Sequence, residues 1–143
     1  METFESEVRR SIEYGLREKP HLRAYKRYLK GVSGNYWEVD IVIEDTTQKS
    51  DEARIKAIIN CKGPGYESGA KPQPHTYREH MLRAYAQLAD LRSYTTPKYL
   101  VVTYKEEAKS ELKTDYESLF KSIGVEIIDY SNPVELLKLY HVV

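Results

Sequence analysis

The sequence predicts an α/β domain, a mixed sheet with helices on both faces. Three observations carry that expectation. Tyr36–Glu44 and Ala53–Lys62 alternate along the chain with period two, the signature of strands. Thr3–Arg17 and His75–Ser93 space their apolar residues by three and four, the signature of amphipathic helices. Short polar turns join the early strands and helices separate the later ones. The first three strands should therefore form an antiparallel meander, and the later ones should run parallel.

In Thr3–Arg17 the stripe is Phe4, Val8, Ile12 and Leu16, and Lys19-Pro20 closes the segment. Leu22–Val32 mixes Tyr25, Tyr28 and Leu29 with basic residues and reads as an irregular edge strand. Gly31 and Ser33-Gly34-Asn35 mark a turn. In the second strand Trp37, Val39, Ile41 and Ile43 alternate with Glu38, Asp40, Val42 and Glu44. Asp45–Glu52 is a polar turn. The third strand sets Ile55, Ala57, Ile59 and Cys61 against Lys56, Ile58, Asn60 and Lys62, and Gly63-Pro64-Gly65 stops it. The helix His75–Ser93 carries Met81, Leu82, Tyr85, Leu88, Ala89 and Arg92. Tyr99–Tyr104 is a buried strand, Glu106–Ser122 a helix with Gly124 just past its end, and Val125–Tyr130 a further strand. Ser131-Asn132-Pro133 caps a final helix, Val134–Tyr140.

The 143 residues suit one domain, 1–143, with no repeat or linker to divide it. A 41% hydrophobic and 31% charged composition is that of a folded globular chain. No apolar run approaches the roughly 20 residues that span a bilayer, so no membrane segment is expected. Met1–Arg10 is polar and acidic, unlike a secretory signal. The single cysteine, Cys61, excludes an internal disulfide framework and points to a reducing, cytoplasmic setting. The formal net charge is zero, which argues against a surface that grips nucleic acid over its whole extent. A local basic cluster remains in Arg17–Lys30, with Lys19, Arg23, Lys26, Arg27 and Lys30. It is either a solvated surface or a phosphate-contacting one.

The chemistry sits on two neighbouring strands. Glu38 and Asp40 are two residues apart, as are Asn60 and Lys62, so each pair leaves its strand on one face. If the strands pair, the four side chains converge on a polar patch. A carboxylate there can hold a hard cation such as Mg²⁺. A lysine beside it can stabilise developing negative charge or orient a nucleophilic water. The competing reading is ordinary: polar residues alternate on any half-exposed strand.

Tyr-Trp-Glu-Val-Asp-Ile-Val-Ile (36–43) followed by Ala-Ile-Ile-Asn-Cys-Lys-Gly (57–63) resembles the core of the PD-(D/E)XK nuclease superfamily. That superfamily includes the restriction-endonuclease-like and Holliday-junction-resolvase-like folds. The resemblance in element order covers Thr3 to about Tyr130. It implies a restriction-endonuclease-like mixed sheet, an α-β-β-β-α-β core here extended by a further α-β-α. It implies Mg²⁺ or Mn²⁺ as cofactor, DNA as partner and hydrolysis of a phosphodiester as the reaction. Asp40 matches the metal-binding aspartate and Lys62 the catalytic lysine. Glu7 matches the extra acid of the first helix, and the main-chain carbonyl of Cys61 a further metal ligand. Asn60 stands where the family has Glu or Asp. That departure leaves three readings: a metal site rebuilt with Glu38, a carboxylate relocated to Glu79 as in some branches, or a weakened site serving binding or assembly. The family often places polar groups of the following helix over the active site, which here offers Tyr77, Arg78 and Gln87, with Lys71 before it.

His21, His75, His80 and His141 have no zinc spacing, and the Gly63–Gly69 loop lacks the lysine-serine ending of a phosphate loop. Leu136, Leu137, Leu139, Tyr140, Val142 and Val143 make an apolar end that either packs on the chain's own sheet or joins two copies as a homodimer.

Overall fold

The computed structural model of the chain describes residues 3–62, 74–103 and 116–143; the side chains of 74–77 lie outside that description. The elements are α1 (Phe4–Gly15), β1 (Leu22–Lys30), β2 (Tyr36–Asp45), α2 (Asp51–Arg54), β3 (Ile55–Lys62), α3 (Pro74–Asp90) and β4 (Lys98–Val102). Residues 116–121 are helical (α4). They lead to β5 (Val125–Asp129), α5 (Pro133–Leu136) and a 3₁₀ turn at Leu137–His141. Lys71, the Tyr77 side chain, Tyr104 and the first part of the helix expected at Glu106–Ser122 fall outside the described residues.

The five strands lie side by side in chain order. β1, β2 and β3 form the expected antiparallel meander, and β3, β4 and β5 run parallel. Only β2 opposes the rest, so the sheet is mixed and open. Its two faces bury separate cores. On one, Val8, Ile12 and Leu16 of α1 and Leu139 and Val142 of the C-terminus pack on Ile41, Ile43, Ala57, Ile59, Val101 and Ile128. On the other, Met81, Ala84, Leu88 and Leu91 of the α3 region and Tyr116 and Phe120 of α4 pack on Val39, Val42, Ile58, Leu100 and Ile127. The C-terminal apolar end thus enters the chain's own core through Leu139 and Val142, while Val134 and Leu137 stay exposed. No helix among the described residues is long and apolar enough to cross a membrane.

Local chemistry explains where the elements begin. The Thr3 hydroxyl accepts the Ser6 N–H and caps α1, with Glu5 and Glu7 in the favourable first turn. Ser50 caps α2 in the same way within the segment expected as a plain turn. Arg27 ion-pairs with buried Glu44 and, at 3.2 Å, with Asp51, and Arg54 meets Glu44 at 3.1 Å, which pins α2 to the sheet. Asp90, ending α3, accepts hydrogen bonds from the Trp37 indole at 2.6 Å and from the Ser33 hydroxyl and N–H at 2.6 and 2.9 Å. That carboxylate fastens α3 to the β1–β2 turn. The stripe of α3 is shifted from expectation: Leu82 is half exposed and Arg92 exposed, with Ala84 and Leu91 buried instead.

The regular alternation expected of β2 is broken. Tyr25 pairs with Val42 and Arg27 with Val39, so β1 spends one residue, Lys26, where β2 spends two, Asp40 and Ile41. This is a bulge, and it reverses the parity of the strand. Trp37 and Val39 face α3, whereas Ile41 and Ile43 face α1. A second irregularity lies between the pairs Ile43–Ala57 and Glu44–Ile55, and it sends Ile55 to the α3 face.

Candidate functional site

The bulge places Asp40 at the seam between β2 and β3. Backbone pairing of the two strands stops at Ile41–Ile59. Continuing that register would set Asp40 opposite Asn60, and here side chains take over the ladder. The Asp40 N–H donates to Asn60 Oδ1 at 3.3 Å, and the Cys61 N–H donates to Asp40 Oδ2 at 2.8 Å. A bulge commonly re-aims a side chain in this way.

The two partners differ in surroundings. Asn60 is buried on the α3 face at 2% exposure. Its oxygen must face the Asp40 N–H, since two donors cannot face each other, so its Nδ2 is turned away and finds no partner among the described residues. Asp40 is half-buried. Burial pushes its carboxyl above the usual aspartate range, and Glu5 adds to the rise. The Cys61 N–H, Lys62 and Lys26 oppose it. Asp40 Oδ1 accepts no hydrogen bond from the described residues, and the Lys62 ammonium makes no ion pair among them. Cys61 turns its thiol toward the α1-side core, and burial holds that thiol well above its ordinary pKa, next to the Asp40 charge. A thiol so placed stays protonated and is a poor nucleophile.

A charge chain surrounds the seam on the α1 side. Glu5 Oε1 takes Arg9 at 3.1 Å and Lys26 at 3.2 Å. Lys26 also meets Glu38 Oε1 at 3.0 Å, and the Tyr28 hydroxyl donates to Glu38 Oε2 at 3.1 Å. Those two bonds hold the Glu38 carboxyl below the usual glutamate range. Arg9 reaches the Asp40 carbonyl at 3.5 Å, and Gln87 Nε2 donates to the Glu38 carbonyl at 2.8 Å. The Gln87 of α3 therefore touches the β2 backbone at the site's edge.

The structure brings Asp40, Asn60, Cys61 and Lys62 together and sets Glu38 beside them through Lys26. It places Glu7 and Glu79 on exposed positions, outside the charges that act on Asp40, and leaves Arg78 exposed on α3. Glu5, not Glu7, is the α1 acid that faces the strands. Helical geometry separates the two by roughly 200° around the axis. The signal for Glu5 was present: Glu5, Val8, Arg9 and Ile12 lie at i, i+3, i+4 and i+7, and Val8 and Ile12 are fully buried. The apolar stripe of α1 does not by itself reveal Glu5 and Arg9, and the basic run Arg17–Lys30 does not single out Lys26.

The donor set accommodates a hard cation in one manner. No three His, Cys, Asp or Glu side chains among the described residues gather as ligands. Asp40 Oδ1 remains open, while both Glu38 oxygens and Asn60 Oδ1 are engaged. Mg²⁺ is commonly held by one or two carboxylates, with water and substrate phosphate completing its shell, and Asp40 supplies that minimum. The chain matches no protein-family model, no curated protein and no solved structure.

Proposed function

We propose that the Asp40–Asn60–Lys62 seam is a divalent-metal-dependent phosphodiesterase site acting on DNA, in a domain of the PD-(D/E)XK type. The observation that carries this reading is an Asp40 carboxylate oxygen without a hydrogen bond among the described residues, set where β2 and β3 separate and within reach of the Lys62 charge. Element order supports it as well: a helix precedes the meander, and a helix and parallel strand follow it. The half-burial of Asp40 strengthens the charge interactions that reach its carboxylate.

Asp40 would hold the cation, Mg²⁺ or Mn²⁺, and the Cys61 N–H fixes the carboxylate's orientation through Oδ2. A cation held there would supply Lewis-acid polarisation of a phosphoryl oxygen and a water of lowered pKa. Lys62 neutralises the charge that grows on the phosphate in the transition state. Glu5 and Glu38 return the site's cations to balance, three acids against Arg9, Lys26 and Lys62.

The test is cleavage of labelled duplex, branched and single-stranded DNA in Mn²⁺ and Mg²⁺, with Asp40→Ala and Lys62→Ala as controls. Cleavage that falls to background in both variants is the expected result. Activity untouched by both variants removes the site from consideration.

One observation favours a second reading, a binding or assembly domain without catalysis. Asn60 contributes no charge and spends its oxygen on the Asp40 N–H. That reading expects no calorimetric Mn²⁺ site at millimolar concentration, and a site lost in Asp40→Ala rules it out.

A further inference from the structure

The end of the β1–β2 hairpin carries aromatic and cationic side chains on one face. Tyr28 pairs with Glu38 and Lys30 with Tyr36 across the two strands. Lys26, Tyr28 and Lys30 alternate along β1, so they share that face with Tyr36 and Glu38. It is the face on which α1 packs, because Lys26 ion-pairs with Glu5 there. The opposite face of the hairpin holds Leu29 and Trp37, which pack into the α3-side core. Beyond the Glu5–Lys26 pair the α1 face is open: Tyr28 is 61% exposed and Tyr36 67%.

Tyrosines so exposed bury little of the chain's own surface. Their arrangement is nonetheless ordered. The Tyr28 hydroxyl is held by Glu38, and the Lys30 ammonium sits 6.0 Å from the centre of the Tyr36 ring. Tyr28 and Tyr36 are diagonal neighbours in the ladder, a relation that brings Cβ atoms to somewhat less than about 7–8 Å and aromatic side chains within reach of each other. Lys30 has no carboxylate partner among the described residues, so its charge is available to a polyanion.

We infer that Tyr28, Tyr36 and Lys30 form a platform that takes unpaired bases of single-stranded nucleic acid, with Lys30 on its phosphates. Aromatic rings stack on any base whose face is free, and a duplex hides those faces within its own stack. The Lys30 charge complements the phosphate backbone. The platform adjoins the seam, since Glu38 contacts both Tyr28 and Lys26, and Lys26 feels the Asp40 charge. The inference rests on the nucleic-acid part of the proposed function and sharpens it to substrates with unpaired segments. It does not rest on cleavage.

The test is fluorescence anisotropy of a labelled oligothymidylate and of the matching blunt duplex, in EDTA so that hydrolysis plays no part. The intact chain is expected to prefer the single strand. Tyr28→Leu/Tyr36→Leu should weaken single-strand binding on the order of ten-fold for each ring lost. Tyr28→Phe/Tyr36→Phe, which keeps both rings, should bind like the parent, and Lys30→Ala should bind more weakly with a shallower salt dependence. Thermal melting checks the leucine variant's fold, and Tyr36→Leu alone replaces it if the pair unfolds. Equal binding of duplex and single strand, no binding of either, or no loss in the leucine variant overturns the platform. Asp40→Ala separates the two readings. Cleavage lost with single-strand binding intact leaves the platform standing, whereas unchanged binding in the leucine variant sinks the platform and leaves the Asp40 cleavage assay to decide the site.

Discussion

Asp40 and Asn60 occupy the rung where the β2–β3 ladder ends, and the Asn60 carboxamide accepts the Asp40 N–H in place of a backbone carbonyl. The geometry leaves Asn60 Nδ2 buried without an acceptor among the described residues. Asn60→Asp keeps the bond to the Asp40 N–H, removes the orphaned donor and adds a second carboxylate beside Asp40. Without metal that carboxylate is buried next to a like charge, so the variant should lose roughly 3 kcal/mol of stability at neutral pH. The loss should be absent below the carboxylate range and grow as pH rises through it, because burial raises the new group's pKa. Mn²⁺ should restore part of the stability by binding the folded state alone. Thermal melts at pH 4 and pH 7, with and without Mn²⁺, measure this. A variant that melts as the parent does, and ignores Mn²⁺, would count against a metal position at the seam.

Asp40 itself carries a pH signature. Its folded pKa is raised, chiefly by burial, so the folded chain holds its proton more tightly than the unfolded chain. The stability this contributes is fully present below the unfolded value of about 3.9. It is lost as pH rises through the folded value. Asp40→Asn keeps an oxygen for the Cys61 N–H and removes the ionisation. The variant should therefore be the more stable protein at pH 7, with the gap closing as pH falls below the carboxylate range. Urea unfolding across that range gives the two curves, and parallel curves would show that Asp40 ionises in the folded chain as freely as in water.

Much of the fold was legible because periodicity and turn chemistry agree along most of the chain. The meander, the parallel pair and the two-sided packing follow from short polar turns, helical crossovers and strands apolar on both faces. The bulge at Asp40–Ile41 was not legible. Ile41-Val42-Ile43 interrupts strict alternation, but an apolar run fits a strand buried on both faces as well as a bulge, so it does not locate the extra residue. Strict alternation therefore put Val39 with Ile41, which face opposite sides of the sheet. It also placed Asp40 on an open polar face instead of in the seam. Asn60 was expected on that same open patch, yet it is buried, since helices cover both faces of the sheet. Asp40, Asn60 and Lys62 remain neighbours all the same, because the paired strands carry them to the same end of the β2–β3 ladder.

The link between Trp37 and Asp90 gives a spectroscopic test of the α3 anchor. Trp37 is the chain's one tryptophan, so the tryptophan emission reports this side chain, both its Asp90 bond and its packing on the α3-side core. Bonds from the Ser33 hydroxyl, then from the Trp37 indole, hold the Asp90 carboxyl below its ordinary pKa. A depressed pKa contributes stability above the unfolded value, and that stability is lost as pH falls through the folded one. Acid titration should change Trp37 emission with a midpoint below the usual aspartate range. Asp90→Asn should abolish that step. A midpoint at the ordinary value would mean that the indole bond does not favour the charged form.

Gly15 ends α1 beneath the C-terminal 3₁₀ turn. A Cβ built there would lie 2.6 Å from Tyr140 Cα and 2.7 Å from the Tyr140 carbonyl oxygen. Those are backbone atoms, which no rotamer change can move aside. Helix propensity alone favours Ala over Gly by about 1 kcal/mol, so an unobstructed Gly15→Ala would stabilise the chain. The overlap instead forces the turn carrying buried Leu139 away from Ile12 and Ile128, its partners in the α1-side core. Strain of this kind typically costs about 1–3 kcal/mol, which exceeds the propensity gain. Gly15→Ala should therefore lower the urea midpoint. A midpoint that rises instead would mean that the C-terminal turn does not press on α1, and that Leu139 and Val142 hold the core without that close approach.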